Sequence, residues 1–72
     1  ITLKEITIKN KVKLARIEKG NLNQGELAKL VGVTRQTMSL IEAQKYNPTI
    51  KVCLLISKYL ERPMDELFWI ED

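Results

Sequence analysis

Hydrophobic and polar positions alternate along this chain with helical spacing, interrupted by short breaks of glycine, asparagine and proline. Residues 1–9 alternate partly, with Leu3, Ile6 and Ile8 among polar neighbours, and read as an arm or a short strand. Asn10 is placed to cap a first helix over residues 11–19, in which Val12, Leu14, Ala15 and Ile17 are the apolar positions, and Gly20 stops it. Asn23 starts a second helix, with Glu26 three residues on in capping-box spacing. Gly25 weakens its first turn, and Gly32 ends it. Thr34 caps a third helix over residues 35–43. A loop at 44–48 follows, because the residue before Pro48 disfavours helix. Thr49 caps a fourth helix over residues 50–60, with Val52, Leu55, Ile56, Tyr59 and Leu60 as its apolar stripe. Pro63 suits the first turn of a short fifth helix ending near Phe68, and residues 68–70 read as extended.

The run from Gln24 to Ile41 meets the requirements of two helices joined by a tight turn. Leu27, Val31, Val33, Met38 and Ile41 supply a shared apolar face, Ala28 allows close approach, and Gly32 supplies the left-handed backbone of the turn. With Met38 and Ile41 inward, a rotation of about 100° per residue turns Gln36, Ser39 and Leu40 outward and leaves Arg35 on the flank. In helix-turn-helix units the start of the second helix enters the major groove of DNA. Arg35 is then suited to guanine, Gln36 to adenine and Leu40 to a thymine methyl, with Ser39 beside them. Asn23, Gln24 and Thr34 at the helix starts, and Lys45, Tyr46 and Asn47 after the third helix, are candidate phosphate contacts. The plain reading of Arg35 and Gln36 is solvated surface, and of Asn23 and Thr34 capping alone. Position in this unit favours DNA contact.

Composition narrows the choices. The chain has 72 residues, 44% of them hydrophobic, which is one small domain with a modest core. Of the charged residues, eleven Lys/Arg against four Asp/Glu fall in residues 1–60, while residues 61–72 carry five acids against one arginine. A basic body facing a polyanion, with an acidic end turned away, fits that split. One cysteine and no histidine argue against a disulfide or a zinc site, and nothing resembles a triad, a phosphate loop or a cofactor pocket. No apolar stretch reaches membrane-spanning length. These features point away from an enzyme, a cofactor, a small-molecule ligand or a membrane, and towards a reducing, cytoplasmic setting. Cys53 reads as a buried structural thiol and Trp69 as a residue closing an end of the core.

The segment NQGELAKLVGVTRQTMSLIEAQKYNPTI resembles the helix-turn-helix of the Cro/repressor, or XRE, family, and LERPMDELFW resembles the end of its small bacterial members. The match covers residues 11–70. The resemblance implies an all-α fold: a five-helix, lambda-repressor-like bundle over residues 10–72, binding double-stranded operator DNA as a two-fold homodimer. By the same resemblance, Gln24 matches a phosphate-contacting glutamine, and Arg35 and Gln36 match base-reading positions. Thr34 and Thr37 match positions that touch backbone or bases, Lys45 and Asn47 match a phosphate-gripping loop, and Glu42 matches a structural acid. It further implies that Pro63, Met64, Leu67 and Phe68 form the dimer surface, and that Ile6–Ile8 pairs with Trp69–Ile70 in a small terminal sheet. The chain departs from the pattern at Gly25, at Leu40 and at Ala43-Gln44, where the family often has Asn-Gly. Two functions follow: a regulator that represses transcription from an inverted-repeat operator, or an antitoxin-like interaction module that also binds DNA.

Overall fold

The computed structural model describes residues 8–20 and 22–71. It contains strand β1 (Ile8–Asn10), helices α1 (Val12–Lys19), α2 (Gln24–Val31), α3 (Arg35–Glu42), α4 (Ile50–Leu60) and α5 (Met64–Leu67), and strand β2 (Phe68–Ile70). The two strands form an antiparallel sheet in which Ile8 pairs with Ile70, Lys9 with Trp69 and Asn10 with Phe68. The terminal sheet is therefore present with its first strand centred on Lys9; Ile6 lies outside the described residues.

Local chemistry fixes the helix ends. Asn23 Oδ1 accepts from the Glu26 N–H and Glu26 Oε1 from the Asn23 N–H, which completes the capping box. Thr34 and Thr49 cap α3 and α4 by accepting from the N–H groups of Thr37 and Val52. Gly32 ends α2 at φ 79°, and the Val33 N–H returns to the Ala28 carbonyl. Pro63 stands one residue ahead of the first turn of α5, as its N-cap.

Leu27, Ala28, Val31, Met38, Ile56, Leu60 and Leu67 form the centre of the core with Val12 and Ala15 of α1. Val33, Val52, Leu55, Tyr59 and Phe68 pack around it. The inward stripe of α1 is Val12, Ala15 and Arg16, so Leu14 and Ile17 are turned out, 55% and 58% exposed. Two of the four apolar positions of α1 thus face outward, and Arg16 shares the inward side with Val12 and Ala15. Trp69 is also exposed, on β2, with the Lys11 ammonium 5.8 Å from its ring centre, so it does not close the core. Cys53 is buried, and burial pushes its thiol pKa up.

Candidate nucleic-acid interface

Helices α2 and α3 cross at the tight turn through Gly32, and their burial splits α3 cleanly. Met38 and Ile41 are fully buried, while Arg35, Gln36, Ser39 and Leu40 are all exposed. These four residues and Gln24 line one shallow surface depression. A second depression beside it is lined by Asn23, Gln24, Gly25 and Arg35. The N-termini of α2 and α3 thus open onto the same face, where free N–H groups favour an anion.

Gln24 is held in place from below. Its Nε2 donates to Glu42 Oε1 at 3.2 Å. The same carboxylate accepts from Arg16 Nε at 2.8 Å and Nη2 at 3.1 Å, and Arg16 Nη1 donates to the Leu22 carbonyl at 3.2 Å. The Arg16 and Glu42 side chains are only 12% and 3% exposed, so this is a largely buried, bidentate pair. The role of Glu42 as a structural acid has a geometric basis here. Its partner Arg16 was missed from the sequence. The signal was a basic residue at an inward position of α1, four residues on from Val12 and next to Ala15.

Thr34 is exposed; Thr37 is half-buried, and the Thr34 hydroxyl donates to its Oγ1 at 2.9 Å. Lys45 and Tyr46 are exposed beyond the end of α3. Asn47 is exposed too, and its Oδ1 accepts from the Ile8 N–H at 3.1 Å, which ties the loop to β1. Gln44 stands at φ 63° where the family often has glycine, and its Oε1 accepts from the Asn10 N–H at 3.4 Å. The Gly25 position has room for a Cβ: the nearest atoms would be Asn23 Oδ1 at 3.5 Å and Arg35 Cδ at 3.8 Å.

Charges are sorted between faces. Acids at 61, 66 and 71 pair with Lys19, Arg62 and Lys9, and Arg62 also reaches Glu18. Among the described residues, neither Arg35 nor Lys45 joins an ion pair.

Of the expected dimer residues, Met64 and half-buried Phe68 border an apolar groove with Ile8, Pro48, Ile50, Cys53, Trp69 and Ile70. Pro63 is exposed beside it. Leu67 is only 1% exposed in the single chain. Its assignment to a partner-facing surface is corrected: it fills the chain's own core.

A helix-turn-helix family model matches residues 12–67. The chain belongs to the helix-turn-helix family, of the XRE type, and is a DNA-binding transcriptional regulator rather than an enzyme. It is 42% identical to YgzD, an uncharacterized HTH-type transcriptional regulator of Bacillus subtilis, over 65 residues that cover 90% of this chain and 97% of that protein. It is equally similar, 42% over 65 residues and with the same coverage, to an uncharacterized HTH-type transcriptional regulator of Methanocaldococcus jannaschii. A third such regulator, of Archaeoglobus fulgidus, is 37% identical over 54 residues, covering 75% of this chain and 76% of its own length. No helix among the described residues is long and apolar enough to cross a membrane.

Proposed function

We propose that this protein is a sequence-specific repressor that binds an inverted-repeat operator as a homodimer. The observation that carries the reading is the face shared by the starts of α2 and α3. There Arg35, Gln36, Ser39 and Leu40 stand exposed around one depression with Gln24, which is itself held by Glu42. In this reading Arg35 and Gln36 contact base edges, with Ser39 and Leu40 completing the groove surface. Asn23, Gln24, Thr34, Thr37, Lys45, Tyr46 and Asn47 contact the phosphate backbone and set the register. Repression then needs no further surface: an occupied operator excludes polymerase.

The homodimer is supported by the apolar groove beside α5. Exposed Ile50, Trp69 and Ile70 extend the surface of Met64 and Phe68. A chain this small gains apolar burial by pairing. Two recognition helices related by a two-fold axis would then reach successive major grooves about 34 Å apart.

Affinity measurements across a panel of duplexes and salt concentrations test the division of labour. Gln36→Ala should relax preference at one base pair of each half-site, costing about 1–3 kcal/mol of discrimination. Lys45→Ala should weaken binding to all sequences alike and flatten the salt dependence. If the two variants weakened every duplex equally, the assignment of base reading to Gln36 would be wrong.

A further inference from the structure

Asn10 is buried, at 8% exposure, and its groups are spread over four parts of the fold. Its Oδ1 accepts from the N–H of Val12, the first residue of α1, at 3.1 Å. Its Nδ2 donates to the Ile41 carbonyl at 2.8 Å, in the last turn of the recognition helix α3. Its main-chain N–H points to Gln44 Oε1 in the loop that follows. In the sheet it is the partner of Phe68, at the start of β2 and on the border of the apolar groove. The next residue, Lys11, donates its N–H to the Leu67 carbonyl at 2.9 Å.

These bonds tie the far end of α3 to β1, beside the Arg16–Glu42 pair. Helix α3 packs chiefly on α2, and Ile41, although fully buried, lies outside the main core cluster. A hydrogen bond in a site shielded from water is directional and costly to leave unmade. We propose that Asn10 is a positioning residue that fixes the angle between the recognition helix and strand β2, and thereby the spacing of operator half-sites that the dimer accepts. This inference rests on the two-fold dimer reading. Base preference within a half-site belongs to the exposed start of α3. The distance between two half-sites depends on how rigidly α3 is held to the strand beside the dimer groove, and Asn10 is the side chain that joins them.

The test compares the wild type with Asn10→Asp and Asn10→Ser, using duplexes in which two selected half-sites are separated by spacers of graded length. Aspartate keeps the acceptor for the Val12 N–H and sets a carboxylate oxygen against the Ile41 carbonyl. Serine can still accept from the Val12 N–H and is too short to reach Ile41, so it tests the same link without burying a charge. The wild type should favour one spacer. Both variants should keep the same half-site bases, while the preference for that spacer over its neighbours falls by up to about tenfold, the equivalent of one lost hydrogen bond. An unchanged spacer profile with uniformly weaker binding would overturn the proposal, because a purely stabilising residue alters only the active fraction. A wild type with no spacer preference would instead overturn the two-fold reading, and this inference with it.

Discussion

Three helices end in a turn whose closing N–H follows a residue at positive φ and returns five residues back, and only one of these residues is a glycine. Gly32 ends α2, Gln44 follows α3 at φ 63°, and Glu61 follows α4 at φ 56°. At each, the next N–H returns to a carbonyl five residues back: Val33 to Ala28, Lys45 to Leu40 and Arg62 to Ser57. A side chain at positive φ is strained. Glu61→Gly should therefore raise the melting temperature. The Lys19 ammonium hydrogen-bonds the Glu61 carboxylate and attracts it, which holds that carboxyl below the usual range. The pair thus adds stability above the ordinary carboxylate pKa and loses it as pH falls through the depressed value. Thermal denaturation should show a larger gain for the variant in acid than at neutral pH, and a gain independent of pH would deny the pair any role. Gly25 offers the opposite case: it lies inside α2 with ordinary van der Waals room for a Cβ. Gly25→Ala should stabilise the fold by about 0.5–1 kcal/mol. A loss in denaturant melts would mean that the methyl group disturbs Arg35 or the Asn23 cap.

At the scale of elements, the pairing of α1 with the end of α3 links the core to the interface. Glu42→Ala leaves Arg16 charged and largely buried, which should cost about 3–5 kcal/mol. The double replacement Arg16→Met with Glu42→Leu should recover most of that loss, since a buried pair can be exchanged for apolar packing. DNA affinity should stay low in the double variant, because Gln24 no longer has the carboxylate that holds its amide. Full affinity together with restored stability would show that Gln24 needs no support. The helices themselves were legible because caps and apolar spacing agree: Asn23, Thr34 and Thr49 mark starts, and α4 carries an uninterrupted stripe. The inward place of Arg16 in α1 was not legible, because periodicity counts apolar residues and cannot see that Arg16 is satisfied by Glu42, 26 positions away. The same limit hid Asn10, whose bond to Ile41 spans 31 positions, and the left-handed turn at Gln44, which has no glycine to announce it.

At the scale of the whole molecule, the exposed apolar residues divide the surface into faces. Arg35 and Gln36 open one face, and Ile50, Trp69 and Ile70 another. Ile70 is 59% exposed, so Ile70→Glu should leave the single chain folded while weakening association. Sedimentation equilibrium would read this as a shift from dimer to monomer, and an unchanged dimer would remove the groove from the interface. The sequence offered residues 63–68 as a candidate association surface but could not say which of its apolar residues turn inward. Leu67 belongs to the core and Trp69 to the surface, because a four-residue helix followed at once by a strand changes the side-chain period within a few positions.

The most direct test is a selection of bound sequences from random duplex DNA with the wild-type protein. Enrichment of one inverted repeat, with half-sites about one duplex turn apart, is the predicted result. It would establish sequence reading by a symmetric pair of α3 helices and reveal the operator. Recovery of bound DNA with no shared motif would contradict the account, and would assign this face to general DNA affinity or to a protein partner.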